Sequence, residues 1–269
     1  MQTLVSEPTL LTKYRDEDTG EIIYPSSDGN RMAESTTHFQ HITTLEGNLE
    51  SLFANKTDVF VAGALLWYPE EGNPFICVAP DTMIVFGRPK GHRDSYQQWN
   101  EDNIAPAVVF EILSKSNGVM EMLKKYLFYQ KYGVKEYYLY DPLKEEFYGW
   151  IRKDQQFETA LIEPTFQSPL LGVTFEISQG SKLQIYNPDG TQFLTFVEQT
   201  QKRKEAEEAL RKAEEATQKA EEIAKSEKIK AEQAEEIAAE AQKAAAEAKE
   251  ENNLLKKLLK EKGFNLEDI

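Results

Sequence analysis

Two acidic residues interrupt apolar, strand-like segments of this chain. Glu111 lies within PAVVFEILSKSN (106–117), and Asp81 follows Pro80 within CVAPDTMIVFG (77–87). A carboxylate that is buried without a partner costs several kcal/mol or takes up a proton. Three arrangements would remove this cost: a hydrogen-bonded basic partner, a position at the open end of a sheet, or a bound divalent cation.

The spacing of these two residues allows them to meet. Side chains alternate between the two faces of a strand, so Glu111 shares a face with Val109 and Leu113. Asp81 stands at the start of a strand, and neighbouring strands would bring both carboxylates to one edge of a sheet. Two carboxylates, a backbone carbonyl and waters suit Mg²⁺. The structural alternative stays open for each residue alone: a turn or cap for Asp81, and an ion pair with Lys or Arg for Glu111.

The surrounding pattern predicts the elements that would position the two carboxylates. In chain order we predict a helix over 31–55, strands over 58–69, 75–87 and 106–114, a helix over 118–133, a strand over 134–142, and shorter strands over 145–153, 157–163 and 182–187. This order indicates an α/β fold whose sheet has mixed strand directions. No glycine-rich phosphate-binding motif is present, so a nucleotide-binding fold is not indicated.

The end of the chain differs in composition from the rest. The segment from Glu198 to Lys262 contains no aromatic residue, glycine or proline and consists mainly of Ala, Glu, Lys and Gln. We therefore predict a globular domain over 1–197, a long helix over 198–262 and a short terminal segment over 263–269.

The long helix carries a repeating small apolar stripe. Intervals of three and four residues separate Ala206, Ala209, Ala213, Ala216, Ala220 and Ile223, and the same spacing returns from Ala231 to Ala248. Heptad spacing with charged flanks predicts a coiled coil and therefore a homo-oligomer. Alanine seams bury little surface, so the association should be weak. The alternative is a single solvated helix held by Glu–Lys pairs.

Charge and cysteine content restrict the class of protein. The formal net charge is −15, and most of the acidic excess falls within residues 1–197. An acidic domain repels a polyanion at long range, which argues against a general nucleic-acid coat protein. Carboxylates that hold cations count as negative until the cations bind, so a metal-dependent enzyme is still allowed.

The single cysteine, Cys77, excludes a disulfide framework. With no secretory leader pattern and no apolar window of spanning length, we expect a cytoplasmic protein without membrane contact.

Several of these segments resemble a known nuclease family. The PD dipeptide followed about thirty residues later by E-x-L-S resembles the PD-(D/E)xK nuclease superfamily. More narrowly, the chain resembles the Uma-two family of restriction-type endonucleases. The matching segments are FVAGALLWYP, APDTMIVFG, PAVVFEILSKSN and KYLFYQKYGVKEYYLYDP. The resemblance covers roughly residues 24–190 and implies a restriction-endonuclease-like mixed sheet flanked by helices, with the long helix following.

The resemblance also implies an activity and a set of site residues. It implies metal-dependent hydrolysis of phosphodiester bonds in nucleic acid, with DNA as the expected substrate. Asp81 and Glu111 would hold Mg²⁺ or Mn²⁺, and the backbone carbonyl of Ile112 is a further candidate ligand. The alternative is a catalytically inactive protein that keeps the nuclease fold and acts as a scaffold through its helical tail.

One position departs from the superfamily pattern. The lysine expected two residues after the glutamate is replaced by Leu113. The resemblance transfers this role to the K-x-x-x-Y match on the following helix, which places the catalytic lysine at Lys125 with Tyr129 nearby. Lys124 is adjacent but points about 100° away around a helix. Lys125 would orient the attacking water or neutralise charge on the phosphate, and the alternative for it is a solvated helix lysine.

Other polar residues are weaker candidates for the proposed metal site. Glu34 near the start of the first helix could add a metal-side carboxylate, although interaction with the helix dipole is the simpler interpretation. Glu121 lies one turn before Lys125 and is expected to pair with it. His38 and His41 are interpreted as residues of a helix surface or interface.

One loop between the two carboxylate strands is basic. It contains Arg88, Lys90, His92 and Arg93. Such a loop could contact a phosphate backbone, or it could be an ordinary solvated turn.

Overall fold

The structure is a computed structural model that describes residues 14–16, 18–27, 35–177 and 181–262. The chain divides into two compact units, residues 1–199 and 200–269. The first unit contains the sheets and two helices, and most of a long third helix forms the second.

The helices and strands follow the predicted order. The helices are α1 (Thr36–Leu52), α2 (Val119–Lys131) and α3 (Phe196–Glu261), with a short 3-10 helix at Gln98–Asn100. The strands are β1 (Val59–Gly63), β2 (Trp67–Tyr68), β3 (Thr82–Phe86), β4 (Tyr96–Gln97), β5 (Val108–Ile112), β6 (Glu136–Asp141), β7 (Glu146–Lys153), β8 (Gln156–Ala160), β9 (Thr165–Gln167), β10 (Thr174–Glu176) and β11 (Gln184–Tyr186).

The largest sheet has mixed strand directions. Its order is β1-β3-β5-β6-β7-β8. The pair β5–β6 is parallel because α2 forms the crossover between these strands, and the other pairs are antiparallel. The prediction of an α/β fold with a mixed sheet, flanking helices and a long C-terminal helix is confirmed.

Alternate residues of β5 enter two different cores. Phe110 packs in one core with Leu45 and Leu49 of α1, whereas Val109 packs in another with Tyr129 of α2. Because neighbouring residues of a strand point to opposite faces, α1 and α2 cover opposite faces of the sheet. The strand that carries Glu111 is therefore buried on both sides, which explains its nearly continuous apolar sequence.

Several sequence predictions of strands are corrected by the structure. The strand predicted over 75–87 begins only at Thr82. The predicted strand over 58–69 is interrupted at Ala64, whose φ of 50° lies in the left-handed region. The backbone N–H of Ala64 donates to the carbonyls of Pro80 and Asp81 at 3.1 and 3.3 Å, so this interruption anchors the chain just before β3. The strands β9 and β10 were not predicted, because three residues are too few to show an alternating pattern.

The tail is one continuous helix whose described side chains are almost all exposed. Side-chain pairs four residues apart join Arg203 to Glu207, Arg211 to Glu215, Glu208 to Lys212, and Lys228 to Glu232. Such pairs stabilise an isolated helix by a few tenths of a kcal/mol each. Association of α3 into a coiled coil stays a prediction. Across the described residues, no helix is both long and apolar enough to cross a membrane.

Gly149 is expected to tolerate no side chain. It faces Tyr138 across the β6–β7 pair, and a Cβ atom there would lie 2.8 Å from Ile162 and 3.1 Å from the Tyr138 ring. Gly149→Ala should therefore lower the free energy of unfolding by about 1–3 kcal/mol. Gly47 on the exposed face of α1 meets nothing within 4 Å. Gly47→Ala should instead raise the free energy of unfolding by about 0.5–1 kcal/mol. Urea denaturation checks both values, and a loss for both variants would contradict the packing argument.

Candidate active site

The pairing of β3 with β5 brings the two carboxylates together. The strands are antiparallel, with Thr82 opposite Phe110 and Met83 opposite Val109. One further step of this register sets Asp81 opposite Glu111, at the point where β3 begins and β5 ends. Directly opposed residues have Cβ atoms about 5 Å apart and point to the same face. The two strands are therefore neighbours, which the sequence-based hypothesis of a shared carboxylate site requires.

Glu111 is buried but has two hydrogen-bond donors. Its residue is 2% exposed. Lys125 Nζ donates to Oε2 at 2.7 Å, and the hydroxyl of Tyr129 donates to Oε1. Lys125 and Tyr129 are four residues apart on α2, so they lie on one face of the helix. This face packs on the sheet over Glu111, and the cost of the buried charge is thereby reduced.

The environment alters the protonation of this cluster. Burial raises the pKa of Glu111 to about 7, and the charge of Asp81 acts in the same direction, against the effects of Lys125 and Tyr129. Burial alone would lower the pKa of Lys125, but the charge of Glu111 and its hydrogen bond outweigh burial, so that pKa is raised. Burial also holds the pKa of Tyr129 well above its ordinary value, so this hydroxyl keeps its proton and remains a donor.

Asp81 is held by the backbone of the neighbouring strand and by a histidine. Its Oδ2 accepts a hydrogen bond from the backbone N–H of Ile112 at 2.7 Å. His38 Nε2 lies 3.2 Å from the same oxygen and 2.8 Å from the carbonyl oxygen of Ile112. The imidazole therefore bridges the Asp81 carboxylate and the end of β5.

The interpretation of His38 as a surface or interface residue was wrong. His38 is 5% exposed and lies in the first turn of α1, where Ser35 Oγ accepts from its backbone N–H at 3.1 Å. A sequence signal existed, because His38 precedes Leu45 and Leu49 by seven and eleven residues, which is the spacing of one helical face. His41 is half-buried, and its ring contacts Tyr140.

The donor set fits a cation that keeps most of its water. Among the described residues, no three His, Cys, Asp or Glu side chains form a cluster able to hold a metal ion. Asp81, Glu111 and the Ile112 carbonyl would leave several positions to water, the mode typical of Mg²⁺. The hydroxyl of Tyr137 is buried without a hydrogen-bond partner among the described residues, and its pKa is raised by burial and by the charges of Glu111 and Asp81. A water molecule at this site would satisfy that hydroxyl.

Other residues named from the sequence lie outside this cluster. Lys124 is exposed, in contrast to the partly buried Lys125. Glu121 accepts a hydrogen bond from Asn117 Nδ2 at 3.1 Å, so the expected pairing of Glu121 with Lys125 is replaced by the Lys125–Glu111 contact. Glu34 lies outside the described residues.

The basic loop between β3 and β5 is neutralised by acidic residues of the same chain. Arg88 and Arg93 both pair with Glu101, at 2.8 and 2.6 Å. Lys90 pairs with Glu50 at 2.6 Å. These ion pairs favour the interpretation of this loop as an ordinary surface turn over the interpretation as a phosphate contact, because its cations already have acidic partners.

A second buried glutamate, Glu136, lies on β6 away from this cluster. Its carboxylate accepts hydrogen bonds from Ser168 Oγ, from Tyr138 OH at 2.9 Å and from the backbone N–H of Leu170 at 2.7 Å. These three donors come from the sheet and from the loop after β9. Glu136 therefore anchors that loop, which is a structural role.

Stability should depend on pH through Glu136. Burial raises its pKa above the ordinary value of 4.5, although the hydrogen bonds oppose this effect. The folded chain then binds the proton more tightly than the unfolded chain, so this group makes the free energy of unfolding fall as pH rises from about 4.5 through the raised pKa. Glu136→Gln removes that contribution and should flatten the curve in this window. Urea denaturation across the window checks it, and parallel curves for the two proteins would contradict it.

Comparison with known proteins adds two findings. A family model described as "Uma2: Putative restriction endonuclease" matches residues 15–185, a range that contains Asp81, Glu111 and Lys125. A solved structure described as a putative nuclease belonging to DUF820, from Anabaena variabilis ATCC 29413, shares 18% identity. The similarity covers 56% of this chain and 78% of that chain with a TM-score of 0.39. No match is found among curated proteins.

Proposed function

This chain belongs to the Uma2 family, described as putative restriction endonucleases, and we propose that it is a divalent-metal-dependent endonuclease acting on DNA. The observation that carries the proposal is the meeting of Asp81, Glu111 and Lys125 at one point, from two paired strands and one helix. Two carboxylates that can hold a cation and a lysine that can stabilise negative charge suit metal-assisted hydrolysis of a phosphodiester.

Asp81 and Glu111 would hold the cation, Mg²⁺ or Mn²⁺, together with the carbonyl of Ile112. When bound, the cation would lower the pKa of a water molecule and stabilise negative charge on the phosphate. Both carboxylates are already oriented. Tyr129 fixes one oxygen of Glu111, and the Ile112 N–H fixes one oxygen of Asp81.

Lys125 is the basic group of the site. Its ammonium lies 2.7 Å from Glu111 Oε2, on the side of α2 that faces the sheet. A cation fixed there can hydrogen-bond the attacking water or neutralise the charge that develops on the phosphate oxygens. In this proposal Lys125 takes the place of the lysine that the superfamily pattern has two residues after the glutamate, where this chain has Leu113.

His38 acts through Asp81. Its Nε2 contacts both Asp81 Oδ2 and the carbonyl oxygen of Ile112, the two oxygens on the β3 side of the proposed metal site. The imidazole keeps these oxygens in a common position. His38 is therefore a positioning residue in this proposal.

Removal of metal or of Asp81 should stop the reaction. Supercoiled plasmid incubated with the chain and Mg²⁺ or Mn²⁺ should be nicked or linearised, and excess EDTA should abolish this activity. Asp81→Asn should reduce the rate at least about 10²-fold, because the amide carries no charge to hold the cation. Asp189→Asn, in an exposed turn bonded to Thr191, is the matched control and should leave the rate unchanged. Failure of the wild-type chain to cleave would favour the scaffold alternative.

A further inference from the structure

The long helix α3 exposes large apolar side chains at heptad spacing. Ile223 is 60% exposed and Ile237 is 67% exposed, and two heptads separate them. Large apolar side chains that repeat in this way along an exposed helix are typical of a helix that pairs with another helix. The residues between the two isoleucines restrict what that second helix can be.

The heptad positions a and d form a seam along α3. Every seventh residue from 213 to 248 occupies position a and is alanine, except for Glu227. Position d lies three residues after position a, and there Ile223 and Ile237 flank Lys230. The seam therefore consists of small and large apolar residues, with one acidic and one basic residue at its centre.

The two central charges need an oppositely charged partner if the seam is covered. The midpoint of α3 (Phe196–Glu261) falls between Glu227 and Lys230. Both side chains are exposed, and within the described part of the chain neither forms an ion pair. Charged residues in a covered seam cost stability unless the other helix supplies opposite charge, and they then fix its register and orientation.

A parallel copy of α3 in the same register does not supply that charge. Each seam residue would face its own equivalent, so Glu227 would meet a glutamate and Lys230 would meet a lysine. Like charges opposed across an interface are unfavourable. Ile223 would also face an isoleucine, which holds the two helices apart where the neighbouring alanine layers need them close.

An antiparallel copy of α3 supplies the opposite charge. Because its direction is reversed, the intervals of three and four residues coincide only when position a faces position d. When Glu227 faces Lys230 of the partner subunit, two-fold symmetry makes this contact twice. The same register sets Ile223 opposite Ala234, so a large side chain meets a small one. A shift by one heptad in either direction would set Glu227 opposite an isoleucine.

Charged residues beside the seam agree with the same register. Lys219 and Glu240 each precede a position a residue, and the antiparallel register brings Lys219 beside Glu240 of the partner subunit. It also brings Lys212 beside Glu247 of the partner subunit, although Lys212 pairs with Glu208 of its own chain at 2.8 Å. Flanking charges of this kind set the choice and the orientation of a partner helix more than its affinity.

We propose that α3 pairs with α3 of a second copy of this chain in antiparallel orientation, with Glu227 opposite Lys230. The contact surface consists of the a and d positions between 209 and 248, here called the α3 seam. A second copy is the partner because reversal of the seam supplies both the opposite charges and the complementary side-chain sizes. The pairing depends on α3 alone and is independent of the nuclease activity proposed above.

Exchange of the central charges tests the orientation. In sedimentation equilibrium of the full chain, Glu227→Lys should weaken association at least about 10-fold, because a lysine then faces Lys230. Glu227→Lys/Lys230→Glu restores opposite charges and should return the dissociation constant to within about 3-fold of wild type. A parallel pair keeps like charges opposed in the double variant, so a double variant no tighter than Glu227→Lys would overturn the proposal.

Glu222→Lys is the matched control for the charge exchange. Glu222 is exposed and precedes a position d residue, on the side of α3 away from the seam. The substitution changes the net charge as Glu227→Lys does, and it should leave the dissociation constant unchanged. Circular dichroism of each variant checks that the helix is kept. An equal weakening by Glu222→Lys and Glu227→Lys would show only a general charge effect and would overturn the α3 seam.

Cysteine cross-linking tests the register. In a Cys77→Ser background, chains with Ala216→Cys are mixed with chains with Ala241→Cys under mild oxidation. These positions face each other in the proposed register, so the mixture should form a cross-linked dimer. Ala216→Cys alone should not, because its two cysteines would lie about 37 Å apart along the helices, beyond the reach of a disulfide. Cross-linking of Ala216→Cys with itself would show a parallel pair and overturn the proposal.

The outcomes separate this inference from the proposed function. A wild-type chain that stays monomeric in sedimentation would leave α3 as a single solvated helix and would overturn the pairing. Plasmid cleavage by such a monomer would leave the proposed nuclease intact. Antiparallel cross-linking of a chain that does not cleave would support the pairing and favour the scaffold alternative.

Discussion

Glu111→Gln is expected to lower the rate of metal-dependent DNA cleavage by at least about 10³-fold while the chain stays folded. Glutamine has nearly the same volume, and its amide oxygen can still accept a hydrogen bond from Lys125 or Tyr129. The amide carries no negative charge, so it cannot hold a divalent cation as the carboxylate does. The expected loss is therefore in metal binding and catalysis, measured as single-turnover cleavage of plasmid over a range of Mg²⁺ concentrations.

Glu136→Gln is the matched control for this experiment. Glu136 is also a buried glutamate of the central sheet, but its hydrogen bonds go to Ser168, Tyr138 and Leu170. The control removes a buried negative charge without altering the proposed metal site, so cleavage should stay near the wild-type rate. Equal activity of Glu111→Gln and Glu136→Gln would remove the catalytic assignment of Glu111.

Lys125→Met is expected to reduce the free energy of unfolding by about 3 kcal/mol as well as to abolish cleavage. The substitution leaves the Glu111 carboxylate buried, with the Tyr129 hydroxyl as its remaining donor. The side chain of Glu111 is 3% exposed, whereas that of Lys125 is 19% exposed. Loss of the lysine should therefore cost more stability than loss of the glutamate charge in Glu111→Gln.

The double variant Glu111→Gln/Lys125→Met tests the cause of this loss. When the carboxylate is neutral, methionine leaves no unpaired charge, so the double variant should be more stable than Lys125→Met alone. Urea denaturation of the wild type, both single variants and the double variant gives the coupling energy. Additive losses would show that Lys125 stabilises the fold through packing and not through its charge.

Local patterns in the sequence predicted much of the fold and part of the candidate site. The apolar run around Glu111 predicted a buried strand. The K-x-x-x-Y resemblance predicted Lys125 with Tyr129 nearby on α2, and their four-residue spacing gives them one face of a helix. Both patterns depend on the repeat of a single element, a period of two residues in a strand and of 3.6 in a helix. A residue's face can therefore be inferred without its distant neighbours.

Short or interrupted elements were less predictable. The left-handed conformation of Ala64 divides a segment whose composition is uniformly strand-like, and β9 and β10 contain three residues each. The hydrogen bonds from Ala64 to Pro80 and Asp81 join segments that are separated by many residues. Local periodicity carries no information about such contacts.

The sequence by itself determined the types of group available for chemistry and the elements that carry them: Asp81 before one strand, Glu111 within another, and Lys125 on the next helix. Only the tertiary structure decided which of these groups meet. The β3–β5 register sets Asp81 opposite Glu111, and the first turn of α1 brings His38 to Asp81. The same long-range packing pairs Arg88 and Arg93 with Glu101 and leaves Lys115 and Lys124 exposed. The physical reason is that two charged side chains can pair only if the elements that carry them lie close together. Packing of the two cores sets the distances between these elements, and a local sequence pattern contains no information about those distances.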